Sequence, residues 1–445
     1  MTLQNRYHKI RNKKRKKEWE NEMKINIQEQ MNEKLNYCLN CKVKPCSQKG
    51  CPLGNDIPAM IQNMKEQNVD KAYEILAQTT VLSGVCGRIC PHQKQCQGSC
   101  VRGIKSNPVS IGEIEAYIFD KAIEKGNSLK NYYPKKQANG KKVAVVGGGP
   151  AGLTCSAFLA KEGFEVTIYE KYHYLGGLLI HGIPEFRLPK EIVEKVVHQI
   201  LELGIKVEYG QELGKNITLK QLEEQYDVVF LSFGANKSSK MGIQGEELDG
   251  VFGGNELLEH GLHPNYQGKT VAVIGGGNVA MDCARTVKRL GAREVKVIYR
   301  RAREQMPAEE KEIEEAMQEG IEFLYQYNVT QILGNEKVEE LEIIQTELVK
   351  KEGESRLVPI NVENSEKKIP MDFVIMALGS EPEDFVKELG LELNKWGRIQ
   401  TNENFETSHP NVYAGGDIAG AKSTVAWAAR SGRDVAYKIK EVFTS

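Results

Sequence analysis

Two stretches of the chain repeat one pattern: an unbroken apolar run, a glycine turn, a helical spacing of apolar positions, and a second apolar run. The first starts Val143-Ala144-Val145-Val146, turns through Gly147-Gly148-Gly149-Pro150-Ala151-Gly152, and ends Val166-Thr167-Ile168-Tyr169-Glu170. The second starts Val271-Ala272-Val273-Ile274, turns through Gly275-Gly276-Gly277-Asn278-Val279-Ala280, and ends Val295-Lys296-Val297-Ile298-Tyr299-Arg300. Runs with no polar alternation predict strands buried on both faces, so each copy is expected to be a parallel βαβ unit. Upstream, the spacing predicts short helices at Ile57–Gln67 and Gly112–Lys125, and polar residues from Lys135 to Gly140 predict a linker. Downstream, residues 329–369 are charged and strand-like, with turn signals at Gly334-Asn335 and Gly353, and predict a small β-meander. A buried strand is expected at Phe373–Gly379, another leading into Gly416-Asp417, and a helix to finish.

Length and composition narrow what this pattern serves. At roughly 150 residues per domain, 445 residues suggest about three domains. Lys+Arg and Asp+Glu both number 60, and this balance argues against nucleic acid or an anionic membrane as the main partner. No apolar run approaches the ~18 residues of a membrane span. Eight of the ten cysteines crowd between Cys38 and Cys100. The N-terminus carries a basic run, His8 to Lys17, with no apolar stretch behind it, which reads as a solvated helix rather than a secretory signal. A cytoplasmic, reducing setting is therefore expected, where clustered cysteines more often bind metal than pair as disulfides. Cys155 and Cys283 stand apart, each on the helix after a glycine turn, and are expected to be packing residues.

The glycine turns point to dinucleotides. Gly147 permits a tight turn, Gly149 lets backbone amides approach a pyrophosphate, and Gly152 lets the helix lie close to its strand; Pro150 and Ala151 open that helix. The phosphates then meet the positive helix end. Glu170 closes the second strand, where a carboxylate accepts hydrogen bonds from a ribose. In the second copy, at Gly275, Gly277, Asn278, Val279 and Ala280, the residue set against Glu170 is Arg300, followed by Arg301. Guanidinium groups there suit a 2′-phosphate, so FAD is expected in the first site and NADPH in the second.

The cysteines are spaced Cys38-x2-Cys41-x4-Cys46-x4-Cys51-Pro52, then Cys86-x3-Cys90-Pro91-x4-Cys96-x3-Cys100. Zinc knuckles favour two separated C-x2-C pairs and only one is present, whereas iron–sulfur proteins crowd cysteines and place one before proline. Two 4Fe–4S clusters are expected, with structural zinc as the alternative.

Together the cysteine block, both glycine motifs, Tyr299-Arg300-Arg301 and Gly416-Asp417 resemble the small (β) subunits of NADPH-dependent glutamate synthase. The large subunit of NADH-dependent ferredoxin:NADP+ oxidoreductase and the N-terminus of dihydropyrimidine dehydrogenase are similar. The resemblance runs from about residue 35 to the C-terminus. It implies an α/β protein: two Rossmann-like, glutathione-reductase-type domains behind a helical iron–sulfur domain. The expected boundaries are 1–135 for the clusters, 141–250 with 372–445 for FAD, and 251–371 for NADPH. It further implies that Cys38, Cys41, Cys46 and Cys100 hold one cluster. Cys51, Cys90, Cys96 and an oxygen ligand, Glu115, would hold the other, with Cys86 spare. Cys46-x4-Cys51 is one residue longer than the expected spacing. Gly177, Arg187, Gly416, Asp417 and Thr424 become flavin contacts, with the last helix aimed at the isoalloxazine. No catalytic acid–base pair is required, because the cofactors carry the chemistry.

The implied activity is electron transfer between NADPH, FAD, the clusters and a partner, either a large glutamate-synthase-like subunit or a ferredoxin or flavoprotein. No segment resembles an amidotransferase or synthase domain, so the chain is not expected to make glutamate alone. A ferredoxin:NADP+ oxidoreductase subunit is the second enzyme reading, and a zinc-stabilised dinucleotide-binding scaffold the reading from another class.

Overall fold

The computed structural model describes residues 26–134, 136–351 and 356–443. The basic run at His8 to Lys17, Lys135 and the Gly353 turn lie outside the described residues. The chain divides into two compact units, Met1–Pro134 and Lys135–Ser445.

The first unit is helical. Residues 26–36 form α1, followed by α2 (Ile57–Lys65), α3 (Val69–Ala77), α4 (Ser83–Ile89) and α5 (Ile111–Glu124). Side chains start two of these helices: Asp56 accepts from the Ala59 amide and Asn68 from the Lys71 amide. Val69, Ala72, Tyr73 and Leu76 share one face of α3 and are buried, as the helical period requires. Gly87 brings α4 hard against α5, because a methyl there would stand 2.5 Å from the Ala116 amide nitrogen.

Parallel sheets organise the second unit. The first sheet has the order β16-β4-β1-β2-β3: Val412–Ala414, Val228–Leu231, Lys142–Val146, Glu165–Glu170 and Lys206–Tyr209. α6 (Pro150–Lys161) joins β1 to β2. The second sheet has the order β6-β14-β7-β8-β9: Val251–Gly253, Phe373–Met376, Thr270–Ile274, Glu294–Tyr299 and Glu322–Tyr325. Here α11 (Asn278–Arg289) joins β7 to β8. Strands β10 to β13 (Tyr327–Leu333, Glu340–Val349, Val358–Asn361 and Lys367–Pro370) form the expected antiparallel meander. It covers one face of the second sheet, with Ile332, Leu341 and Ile343 packed on Ala272, Ile298 and Val374.

One boundary moves. The sequence places residue 372 onward in the flavin half, but β14 pairs in parallel with β7 on one side and β6 on the other. Residues 373–376 therefore belong to the second sheet. The chain crosses back just after, where β15 (Ser380–Glu381) pairs antiparallel with β5 (Lys237–Ser238). Among the described residues, no helix is long and apolar enough to cross a membrane.

Candidate functional site

Both glycine turns sit at the carboxyl ends of central strands, where open α/β sheets bind ligands. At the first, Gly147 has φ +98°, and a methyl there would meet the Phe233 backbone at 2.6 Å. A methyl on Gly152 would come 2.0 Å from the Gly147 carbonyl oxygen, so α6 can leave the turn only from glycine. Gly149 is different: the space above it is open. Pro150 begins α6, its fixed φ suited to a first helical turn, with Ala151 buried behind it.

Two further segments close on this turn. Gly177 (φ +54°) comes so near Gly149 that a methyl would stand 3.0 Å from its Cα, and the Gly176 amide donates to the Gly148 carbonyl. Gly416 (φ +71°) packs on Ala151 while its amide donates to Ser431 Oγ at 2.8 Å. Ser431 and Gly432 lie on α13 (Val425–Phe443), which touches the Ala151 carbonyl so closely that Gly432 admits no side chain. Thr424 caps that helix, its hydroxyl accepting from the Trp427 amide at 3.4 Å. Sequence reasoning missed Ser431 and Gly432; a glycine in mid-helix was their signal.

Two carboxylates face this convergence. Glu170 is 4% exposed, accepting from the Gly148 amide at 2.8 Å and the Tyr172 amide at 2.9 Å. Burial nevertheless pushes its pKa up. Asp417 Oδ1 is shut off from solvent with no partner, and burial lifts that carboxyl too. An orphaned acceptor beside an open glycine is the cradle a flavin dinucleotide would complete: pyrophosphate on α6, hydroxyls on Asp417.

Arg187 is held by two acids. The resemblance makes Arg187 a flavin contact; its Nη1 donates to both oxygens of Asp282, at 2.9 and 2.8 Å. Its Nε pairs with Glu312 at 3.0 Å.

The second turn repeats the geometry. Gly275 has φ +142° and faces the Ala377 carbonyl, a methyl on Gly277 would meet only Pro307 Cγ, at 3.9 Å, and Asn278 begins α11 with Val279 half-buried and Ala280 fully buried. Register corrects one correspondence. Val143 pairs with Val166, and Val271 with Val295, so Glu170 matches Tyr299 rather than Arg300. The sequence reading set Arg300 there, but the second link is one residue longer. Tyr299 gives its hydroxyl to the Gln305 carbonyl, leaving no acid at this position. Arg300 follows, exposed, and Arg301 holds a buried Nε without a partner. The donor set fits a phosphorylated ribose.

In the first unit, Cys38, Cys41, Cys46 and Cys100 line one small cavity with Pro45 and Ile57. A second group forms where α4 abuts α5. Glu115 is buried there, and burial pushes it up to about 8. Its charge reaches Cys51, Cys90 and Cys96. Burial, then Glu115, pushes the Cys51 thiol up to about 12. Cys86, the spare of the sequence, is also here, with its thiol hydrogen-bonded to Cys90. The structure thus brings together five donors at the second group and four at the first. Among the described residues, no three such side chains converge on a single-ion site. Thiols held this high must lose their protons to a metal on loading. Cys155 and Cys283 are buried, as packing residues would be.

Known proteins agree with these two halves. The pattern of the pyridine nucleotide-disulphide oxidoreductase family matches residues 141–432. That of dihydropyrimidine dehydrogenase domain II, 4Fe-4S cluster, matches residues 14–127. The small chain of glutamate synthase [NADPH] from Escherichia coli is 36% identical over 422 residues, covering 90% of this chain and 88% of its own. The beta subunit of NADP(+)-dependent formate dehydrogenase from Moorella thermoacetica is 35% identical over 423 residues, 89% of this chain and 59% of its own. FprA from Mycobacterium tuberculosis, solved with NADPH, shares the fold at TM-score 0.61 and 20% identity, over 68% of this chain and 84% of its own. The chain is thus an NADPH-dependent flavin oxidoreductase carrying a 4Fe–4S domain. It belongs to the pyridine nucleotide-disulphide oxidoreductases, in the group that contains the small chains of glutamate synthase.

Proposed function

We propose that the chain collects electrons from NADPH and delivers them, through FAD and two 4Fe–4S clusters, to a larger subunit of the glutamate synthase kind. The observation that carries this reading is the unsatisfied Asp417 Oδ1 beside the open Gly149 turn. When bound, the cofactors supply hydride transfer and single-electron steps. The residues supply position and field. Gly147, Gly149 and Gly152 shape the FAD turn, while Glu170 and Asp417 take hydroxyl donors. Gly177 and Gly416 press the neighbouring segments onto it, and Thr424 starts the helix that points its positive end inward. Gly275, Gly277, Asn278, Val279 and Ala280 shape the NADPH turn, with Arg300 and Arg301 on the 2′-phosphate.

Cys38, Cys41, Cys46 and Cys100 hold the first cluster. Cys51, Cys90, Cys96 and Glu115 hold the second, beside Cys86. Supporting the partner class, the E. coli relative is named a small chain and the Moorella relative a beta subunit. Because the Moorella name belongs to a different complex, a ferredoxin or flavoprotein partner is the second reading. Anaerobic purification from native cells tests all of this. About eight irons per chain, flavin bleached by NADPH and a co-eluting large subunit are expected. Stoichiometric zinc without labile sulfide would refute the cluster assignment. Glu115→Ala should change the EPR signal of one cluster alone, and an unchanged spectrum would remove Glu115 from the ligands.

A further inference from the structure

The flavin half and the NADPH half are joined by a buried charge network that neither turn uses. Arg187 lies in the loop after α7 (Leu178–His181), the segment that starts at Gly176-Gly177 and leans on the first glycine turn. Its side chain is 8% exposed, and its Nη1 donates to Asp282 of α11, itself 5% exposed. Nε reaches Glu312 on α12 (Glu310–Gln318). Glu312 in turn accepts from Arg285 of α11 at 2.6 Å. Arg285 also pairs with Glu315 at 2.8 Å and Glu319 at 3.0 Å. Phe186, next to Arg187, lies under the Arg285 and Arg289 guanidiniums, 4.6 and 3.9 Å from its ring centre.

The place of Asp282 gives this network a consequence. It lies four residues after Asn278, hence one turn along the same face of the helix whose first residue borders the second glycine turn. Arg187 therefore ties the segment touching the first turn to the helix that begins at the second. With Nη1 on both Asp282 oxygens and Nε on Glu312, the guanidinium is held at two of its nitrogens, which fixes its angle as well as its distance. Burial in low dielectric keeps it from exchanging with water.

We propose that Arg187 and Asp282 are positioning residues for hydride transfer, setting the NADPH turn against the flavin turn at reactive separation. This rests on the proposed placement of the two coenzymes. Neither residue touches the reacting atoms; they act through α11 and the Gly176–Arg187 segment. Hydride transfer is steep in geometry, and a displacement of about 1 Å can cost on the order of 100-fold in rate. Substrate affinity, held by the turn itself, depends on this link far less.

The test uses the anaerobically purified holoprotein and Asp282→Asn, which keeps the volume of the side chain and leaves a weaker hydrogen bond. Arg187→Met is the harsher companion, because it strands two acids. Another tie between the halves, Lys171–Glu259 at 3.1 Å, reaches α10 (Gly254–His260) rather than α11, so Glu259→Gln is the control. Per bound flavin, Asp282→Asn is expected to slow reduction by NADPH about 10- to 100-fold. The primary deuterium isotope effect should rise and the charge-transfer absorbance fade, with NADPH dissociation constant and flavin content near the parent. Glu259→Gln should lower the melting temperature without changing that rate. An unchanged rate per flavin in Asp282→Asn, or a loss confined to melting temperature, overturns the proposal. Failure of the parent to bind FAD or to be reduced by NADPH would instead refute the placement of the coenzymes.

Discussion

The two glycine turns have one backbone and different surroundings. The first is gripped from three sides, by Gly177, by Gly416 and by α13 against Ala151. The second tolerates Ala280 where the first demands Gly152. At the end of the second strand the first offers Glu170 and the second Tyr299, with Arg300 and Arg301 beyond. A tightly enclosed turn suits a cofactor that stays, and an open one suits a coenzyme that must come and go each cycle. Peptide geometry would recognise a pyrophosphate in both, and the residues one strand away would choose between coenzymes.

Arg300 is where this contrast should break most visibly. A charge-assisted pair with the 2′-phosphate is worth about 1.5–3 kcal/mol, or roughly 10- to 150-fold in coenzyme preference. Arg300→Ala is expected to raise KM for NADPH by that factor and leave NADH nearly unchanged, with normal flavin content. Equal kinetics with both coenzymes in the parent would erase the distinction.

Gly152 and Ala280 test the difference in grip. A methyl at Gly152 overpacks the Gly147 carbonyl, a change that typically costs about 1–3 kcal/mol. Gly152→Ala should therefore lose bound flavin and melt earlier, while Ala280→Gly costs no more than about 1 kcal/mol. Equal melting shifts in the two variants would mean that the turns are equally tight.

Smaller still is Glu170→Gln, which weakens acceptance from the Gly148 and Tyr172 amides by about 0.5–1.5 kcal/mol. Flavin affinity should fall a few-fold, and NADPH affinity should not. The same variant isolates a pH effect in the flavin-free protein. Burial raises the folded pKa of Glu170 above its unfolded value. Its contribution to stability is therefore fully present below the ordinary carboxylate range and is lost as pH rises through the raised value. Thermal melts across mildly acidic pH should show a shallower decline in Glu170→Gln than in the parent; parallel curves would assign the slope to other groups.

The turns were legible in the sequence because a backbone with φ above zero, or a helix pressed on its own turn, leaves no choice but glycine. Glu170 was legible for a related reason, as a lone acid closing an apolar run. The sheet that takes β14 was not, since Phe373-Val374-Ile375-Met376 suits the middle of either one. Nor was the one-residue offset at Tyr299, which depends on register rather than on residue type. The ion pairs of Arg187 were not legible either, because Asp282 and Glu312 lie about a hundred residues away and only folding brings them near. Cys86 lies beside Cys90 by the helical period alone, since Cys90 closes α4 and its amide donates to the Cys86 carbonyl.

The pairing of β5 with β15 has an evolutionary reading. Adjacent strands run about 5 Å apart, so the chain enters and leaves its second nucleotide-binding half through neighbouring doorways. Everything between is a cassette, removable or exchangeable at two points without rethreading the first sheet. A transplanted cassette of different coenzyme taste would inherit the doorways at once. It would still have to present an acid to Arg187, which makes that contact the compatibility key between host and insert.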